Sequence, residues 1–432
     1  MNNCILKSLS VENFASFADK IQFTTLIDSR KKDTTDFTMC INDELYNKVS
    51  YIYGANGSGK TFFCKILREI QRLIDWSPLT AMNNSHLLEL PHFKGINSTV
   101  PHFAFDVKYE NEPTSFGIEI VVDKIYYHYN FSVFNQKVIY ERLTKKYKRT
   151  EKLLERTTSS YKDIVLKSEL KNFEPIKQVV KEEALALPVA ALLNNKLATK
   201  IINAIKSIQI VSMTAARIQP TDSKKAFSDE RLEKYAEILS KADPTIRKMT
   251  VSFSEEEVSR EKIEIDDFEN REIIAKKTTV EVNSEHAVYE NGAETSCTPI
   301  KFFTDESLGT IKLFTTLPYL YDVLESGTTL IIDEIENGLH LSLVKEIIDL
   351  FKNPVTNPNS AQLICTSHQP LLITPDTRRD QVWIISKNNF GKSSLSRMSN
   401  MKTAHSKINL QNKILEGAFG CNPEKFFKST HF

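Results

Sequence analysis

Residues Gly54-Ala55-Asn56-Gly57-Ser58-Gly59-Lys60-Thr61 satisfy the phosphate-loop pattern G-x-x-x-x-G-K-[ST], and their flanks leave little freedom in how that stretch folds. Val49 to Tyr53 is an apolar run of strand length, and Thr61 to Ile74 keeps Phe62, Ile66, Ile70 and Ile74 on one helical face. A strand, a glycine-rich turn and a helix in that order set backbone N–H groups at a helix N-terminus, whose partial positive charge suits phosphate. In that arrangement Gly54, Asn56, Gly57, Ser58 and Gly59 belong to the cradle, Lys60 reaches the β and γ phosphates, and the Thr61 hydroxyl coordinates Mg2+. The expected ligands are ATP and Mg2+. A plain glycine turn would not require the strand and helix on either side.

The 432 residues, 41% hydrophobic and 26% charged, can bury a large core, either as one domain with an insertion or as two domains. Lys and Arg number 56 against 55 Asp and Glu, so nothing global attracts nucleic acid or an anionic membrane; nucleic-acid binding, if present, has to be local. Met1-Asn2-Asn3-Cys4 lacks the basic flank and apolar core of an export signal, and no later run reaches bilayer-spanning length. The expected location is the cytoplasm, with no membrane partner. The six cysteines are scattered with no C-x-x-C pair, which argues against a zinc site and a disulfide framework.

Residues 5 to 23 alternate apolar and polar positions, as a half-buried hairpin does, and the same period returns between about 101 and 143 as a meander of short strands. From about 150 to 242 glycine disappears and charged residues interleave with Leu, Ile, Val and Ala at helical spacing, which predicts a helical insertion without sustained heptads. Residues 249 to 290 are charge-rich with β-prone pieces and suit a two-stranded extension. The resulting division is a nucleotide-binding head over 1–148 and 292–432, with a mainly helical insertion over 149–291.

Thr328 to Asp333 is an apolar strand ending in the adjacent carboxylates Asp333 and Glu334, the form of a buried parallel strand whose C-terminal tip meets a ligand. Behind a phosphate loop this reads as a Walker B element, with Asp333 in the Mg2+ shell and Glu334 orienting or deprotonating the attacking water. A third apolar strand, Ala361 to Thr366, runs into Ser367-His368, where an imidazole can hydrogen-bond the γ-phosphate and sense its loss. The catalytic set read from the sequence is therefore Lys60, Glu334 and His368, with Thr61 and Asp333 on the metal.

The phosphate loop, then Glu306-Ser307-Leu308-Gly309-Thr310, the Asp-Glu strand and His368 follow one another in an order that resembles the ABC-type ATPases related to the SMC, RecF and OLD proteins. The resemblance implies an α/β fold, an ABC-type P-loop head with a mixed or parallel β-sheet. It also implies that Ser307 and Gly309 belong to a degenerate signature element that contacts ATP bound to another subunit, so that the chain forms a homo-oligomer. Locally the same residues fit a serine N-cap. The stretch Asn357 to Ile364, Arg379-Asp380-Gln381-Val382-Trp383 and the ending Gly417-x-x-Gly420-x-x-Pro423 resemble the AbiL-like "ATP/GTP phosphatase" family, which includes the PARIS ATPase and partners of RloB-type proteins. That likeness implies slow, ATP-gated sensing of a phage protein and control of a separate effector of nuclease type. The chain departs from the pattern at Asn337-Gly338, where a small residue followed by Ser is commoner, and at Ala15, where relatives carry Arg.

No acidic cluster of the Toprim type follows His368, and no other nuclease cluster is present in the sequence, so a cutting activity would belong to a second protein. Two further readings remain open: a RecF-like clamp that closes on DNA with ATP, and a scaffold that uses ATP for structure. The basic run Lys145-Lys146-Tyr147-Lys148-Arg149 fits a phosphate contact or, more simply, a solvated turn.

Overall fold

β1 (Cys4–Glu12) and β2 (Ile21–Thr24) pair antiparallel, as their alternation predicts. The structure, a computed structural model, describes residues 4–28, 37–81, 99–171, 180–214, 226–266, 269–401 and 410–415. After the small ribbon β3 (Thr38–Ile41) and β4 (Glu44–Asn47) comes β5 (Val49–Gly54), buried at every position as a strand covered on both faces must be. β5 runs through the glycine loop into α1 (Lys60–Ala81).

β6 (Thr114–Val122), β7 (Ile125–Phe134), β8 (Lys137–Lys146) and β9 (Thr150–Arg156) form the expected meander and extend it by one strand. Its first two turns place two consecutive residues at positive φ, Asp123-Lys124 and Asn135-Gln136, which matches the right-handed twist of the flanking strands. With β10 (Val165–Leu166) and the N-terminal pair they make a seven-stranded antiparallel sheet in the order β10-β9-β8-β7-β6-β1-β2. Fully buried Glu141 on β8 accepts the amides of Ala186 and Leu187 at 2.7 and 3.0 Å, an anion at the N-terminus of α2 (Ala186–Leu192).

α3 (Lys196–Ser207) leads into β11 (Gln209–Ser212), an edge strand of the nucleotide-binding sheet. There follow α4 (Asp229–Ala242), the long antiparallel pair β12 (Ile246–Asp266) and β13 (Glu269–Glu290), β14 (Ala293–Lys301), the single turn α5 (Phe302–Asp305) and α6 (Leu308–Ser326). The chain then completes the sheet with β15 (Thr329–Asp333), α7 (Leu341–Lys352), β16 (Gln362–Ser367), β17 (Val382–Lys387) and β18 (Ser393–Arg397), before α8 (Leu410–Leu415). The order is β11-β15-β16-β5-β17-β18, parallel throughout except for β18, hence the mixed sheet expected of the α/β head.

The chain divides into two compact units, residues 1–212 with 323–336 and 341–432, and residues 213–322 with 337–340. In the first, Phe63 of α1 packs edge-on against Phe23 of β2, and Phe23 lies 5.1 Å from Trp383 of β17, so both sheets share one core through the helix. The second unit is centred on Phe227, Tyr235, Phe302 and Phe314.

These boundaries correct the division read from the sequence. Residues 149–212 belong to the first unit, and the second begins at Met213. The mainly helical reading of 149–291 is corrected too. Thr150–Arg156 is a strand because pairing with β8 overrides the helix propensity of its Glu, Lys and Leu residues. The expected two-stranded extension is present as β12 and β13, and β14 adds a third strand. Gly417, Gly420 and Pro423 lie outside the described residues. No helix among the described residues is long and apolar enough to cross a membrane.

Candidate functional site

Parallel strands of one sheet end on the same edge, and here that edge collects Gly54 of β5, Asp333 of β15 and Ser367 of β16. β16 lies between the phosphate-loop strand and the Asp-Glu strand. The loop itself needs its glycines. Gly57 and Gly59 have φ of +76° and +118°, and a Cβ on Gly59 would stand 2.8 Å from Ser16 Oγ and 2.9 Å from Ser393 Oγ. Ser393 of β18 fastens the loop from outside, its hydroxyl donating to Ser58 O at 2.5 Å and its amide to Ser16 O at 2.8 Å. Lys60, 5% exposed, folds back over the loop and donates from Nζ to Gly54 O at 2.8 Å and Ala55 O at 3.0 Å. Asn56 and Thr61 are exposed, and the Ser58 hydroxyl is buried without a hydrogen-bond partner among the described residues.

At the tip of β15, one hydroxyl organises both carboxylate residues. Thr366 Oγ1 donates to Asp333 Oδ1 at 2.7 Å and accepts the Glu334 amide at 2.8 Å. The Glu334 backbone turns into the left-handed region at φ +54°, which is unfavourable for a residue with a long side chain and is held there by the Thr366 hydroxyl and by the Ile335 amide donating to Thr366 O. Asp333 is 1% exposed, and its Oδ2 has no hydrogen-bond partner among the described residues. Buried Cys64 of α1 feels that carboxylate: burial first, and then the Asp333 charge, push its thiol well above the ordinary range. An orphaned buried carboxylate oxygen beside the phosphate-loop helix is the donor a divalent cation takes.

His368 is exposed, just past β16. Its amide donates to Glu336 Oε1 at 2.7 Å, and its Nδ1 stands 2.9 Å from the same oxygen. With Nδ1 turned to Glu336, Nε2 is the nitrogen directed to other partners. The structure therefore brings Gly54–Thr61, Asp333, Glu334 and His368 together within the first unit.

Ser307 and Gly309 lie in the second unit, where α6 opens; Ser307 is exposed and Gly309 half-buried. Ser307 Oγ accepts the Thr310 amide at 3.1 Å, so the local N-cap geometry is present. Within the same unit, Lys312 on α6 donates from Nζ to Asn337 O at 2.9 Å and Asn337 Oδ1 at 2.7 Å. A Cβ on Gly309 would come within 3.1 Å of Gly338 O. Asn337-Gly338, the departure seen in the sequence, thus packs against the first turn of α6.

Two residues escaped the sequence reading. Thr366 is one position from the apolar end of β16 and looks there like an ordinary β-branched strand residue. Glu336 is one of three acids in four residues, Asp333 to Glu336, and only the fold tells which of them meets His368.

A phosphate loop and an Asp-Glu strand flanking a third parallel strand, with an antiparallel sheet joined to them through α1, are the parts of a P-loop ATPase with a mixed α/β fold. The chain belongs to the family described as "AAA domain, putative AbiEii toxin, Type IV TA system", which it matches over residues 49–173 and 190–374, more than half its length. No curated protein matches it. Among solved structures, the SMC head bound to the C-winged helix domain of ScpA aligns at 13% identity over 91% of this chain and 97% of that chain, with a TM-score of 0.39. The SMC head domain from Thermotoga maritima aligns at 11% identity over 91% of this chain and 98% of that chain, with a TM-score of 0.35. At these scores neither pairing bears on the fold or the chemistry.

Proposed function

We propose that the chain binds ATP with Mg2+ at Gly54–Thr61, hydrolyses it slowly, and serves as the sensor subunit of an anti-phage defence system that controls a separate effector protein. The observation that carries the hydrolytic part is the buried, unpartnered Oδ2 of Asp333 beside a phosphate loop. Thr61 and Asp333 would hold Mg2+, which supplies charge neutralisation on the phosphates. Lys60 moves from the loop carbonyls to the β and γ phosphates when these bind. Glu334 takes the proton of the attacking water, its position set by the hydrogen bond from its backbone N–H to the Thr366 hydroxyl. His368, oriented by Glu336, contacts the γ-phosphate through Nε2. The chain is placed in the cytoplasm by this reading.

The exposed Ser307 and Leu308 at the start of α6 favour a signature element offered to a second copy, so that hydrolysis waits on assembly. The family's toxin–antitoxin description supports a defence role, and the narrower likeness to AbiL-like ATPases of the PARIS and RloB systems supports control of a separate effector of nuclease type. A phage protein would be the trigger.

Native mass spectrometry of the protein co-expressed with its neighbouring genes, with and without ATP and Mg2+, tests this reading. A stoichiometric complex with a second protein, and an ATP-dependent oligomer stabilised in Glu334→Gln, are the expected results. An ATP-dependent dimer that carries only nucleic acid would transfer the assignment to a DNA clamp.

A further inference from the structure

Within the second unit, α4 and the start of β12 enclose a groove of about 790 Å³. Its strand wall is made by the six consecutive residues 246–251. The register of β12 against β13 shifts between Ile246 and Lys248, which interrupts the alternation there; from Lys248 to Val251 successive side chains point to opposite faces, and consecutive residues line the groove through the strand's edge. That edge has no strand beside it among the described residues: β12 pairs with β13 on its other side, and the sheet order is β12-β13-β14. Its helix wall has an apolar floor, Leu232 and Ala236, beneath exposed Asp229, Glu233 and Glu237, four residues apart and so in one row along the helix.

Charges of both signs line the groove, Asp229, Glu233 and Glu237 on the helix and Arg247 and Lys248 on the strand, but both cations have acidic partners outside the lining. Arg247 is held by Glu294 at 2.8 Å and by the Tyr289 hydroxyl. Lys248 stands 3.9 Å from Glu285. Lys241 stands 3.6 Å from Glu237. The geometry points to a docking site for an extended, basic segment of another protein, added as a fourth strand on the edge of β12, with its lysines or arginines facing Asp229, Glu233 and Glu237. Main-chain pairing supplies affinity in such a contact, and alternate side chains supply selection. The inference gives chemistry to the partner of the proposed function but needs no nucleotide.

The test uses the full chain without ATP and a labelled short peptide alternating lysine and valine, read by fluorescence anisotropy and by hydrogen exchange. Binding with slowed exchange at amides 246–251 is expected, weakened about tenfold in Glu233→Lys/Glu237→Lys and unchanged in Glu230→Lys, which lies outside the groove. Circular dichroism checks that both variants fold. Absence of binding, binding without protection at 246–251, equal loss in Glu230→Lys, or equal binding of the glutamate-for-lysine peptide would each overturn it. Protection of 246–251 that depends only on protein concentration would assign the groove to a second copy and overturn it as well. Since no nucleotide is present, failure here is separable from failure of Glu334→Gln to trap ATP.

Discussion

Thr366 carries the heaviest duty of any single side chain at the site, because one hydroxyl satisfies the Asp333 carboxylate and the Glu334 amide together. Replacing it by valine keeps the shape of a buried strand residue and leaves both groups without that partner, a cost of about 1–3 kcal/mol. Thr366→Val should therefore lower ATP turnover about tenfold to a hundredfold and raise the Mg2+ concentration needed for half-maximal rate, which a steady-state assay with a metal titration measures. Glu334→Gln should remove about a hundredfold or more of turnover while ATP stays bound, checked by filter retention of labelled ATP; unchanged turnover would take Glu334 out of the role proposed for it. Glu336→Gln can still accept the His368 amide and keeps its size, so it should reduce turnover less than Glu334→Gln.

At the scale of the element, the loop between β5 and α1 separates two kinds of glycine. Gly57 has open space around a virtual Cβ and only its φ of +76° to object, whereas Gly59 combines φ of +118° with hydroxyls at 2.8 and 2.9 Å. In urea unfolding without nucleotide, Gly57→Ala should cost about 1 kcal/mol and Gly59→Ala about 2–3 kcal/mol. Comparable losses would mean that Ser16 and Ser393 give way. The elements nearest the nucleotide were the ones readable in sequence: Val49–Gly54, Thr329–Asp333 and Gln362–Ser367 are buried at every position, and continuous apolar runs of that length announce covered strands. β9 and β11 were not readable. β11 is short, β9 is rich in helix-forming residues, and each exists because a neighbouring strand offers it an edge.

Across the molecule, distant parts of the chain are tied by buried polar groups that no local pattern reveals. Asp380 is one: its carboxylate accepts Arg378 Nε at 3.0 Å, Arg378 Nη2 at 2.9 Å and the Asp28 amide at 2.9 Å. Burial works against the charge, but the Arg378 hydrogen bonds, the Asp28 amide and the Arg378 and Arg397 charges bring the carboxyl below its ordinary value. A carboxyl lowered in the folded state adds stability that is complete above its unfolded value near 4 and is lost as the pH falls through the folded value. Asp380→Asn should thus be about 3 kcal/mol less stable than wild type at pH 7, with the gap closing below about pH 4, as read from urea midpoints across that range. A gap independent of pH would assign the effect to packing.

The order of the phosphate loop, the Asp-Glu strand and His368, together with their apolar flanks, was enough to specify a nucleotide-binding α/β head, because short-range periodicity and glycine geometry act within a few residues of one another. Tertiary structure alone decided that Thr366 bridges Asp333 and Glu334, that Glu336 rather than its neighbours meets His368, and that residues 149–212 join the head rather than an insertion. Each of those outcomes depends on which strand edges and carboxylate oxygens end up side by side, and residues tens to hundreds of positions apart carry no mark of that in their local sequence.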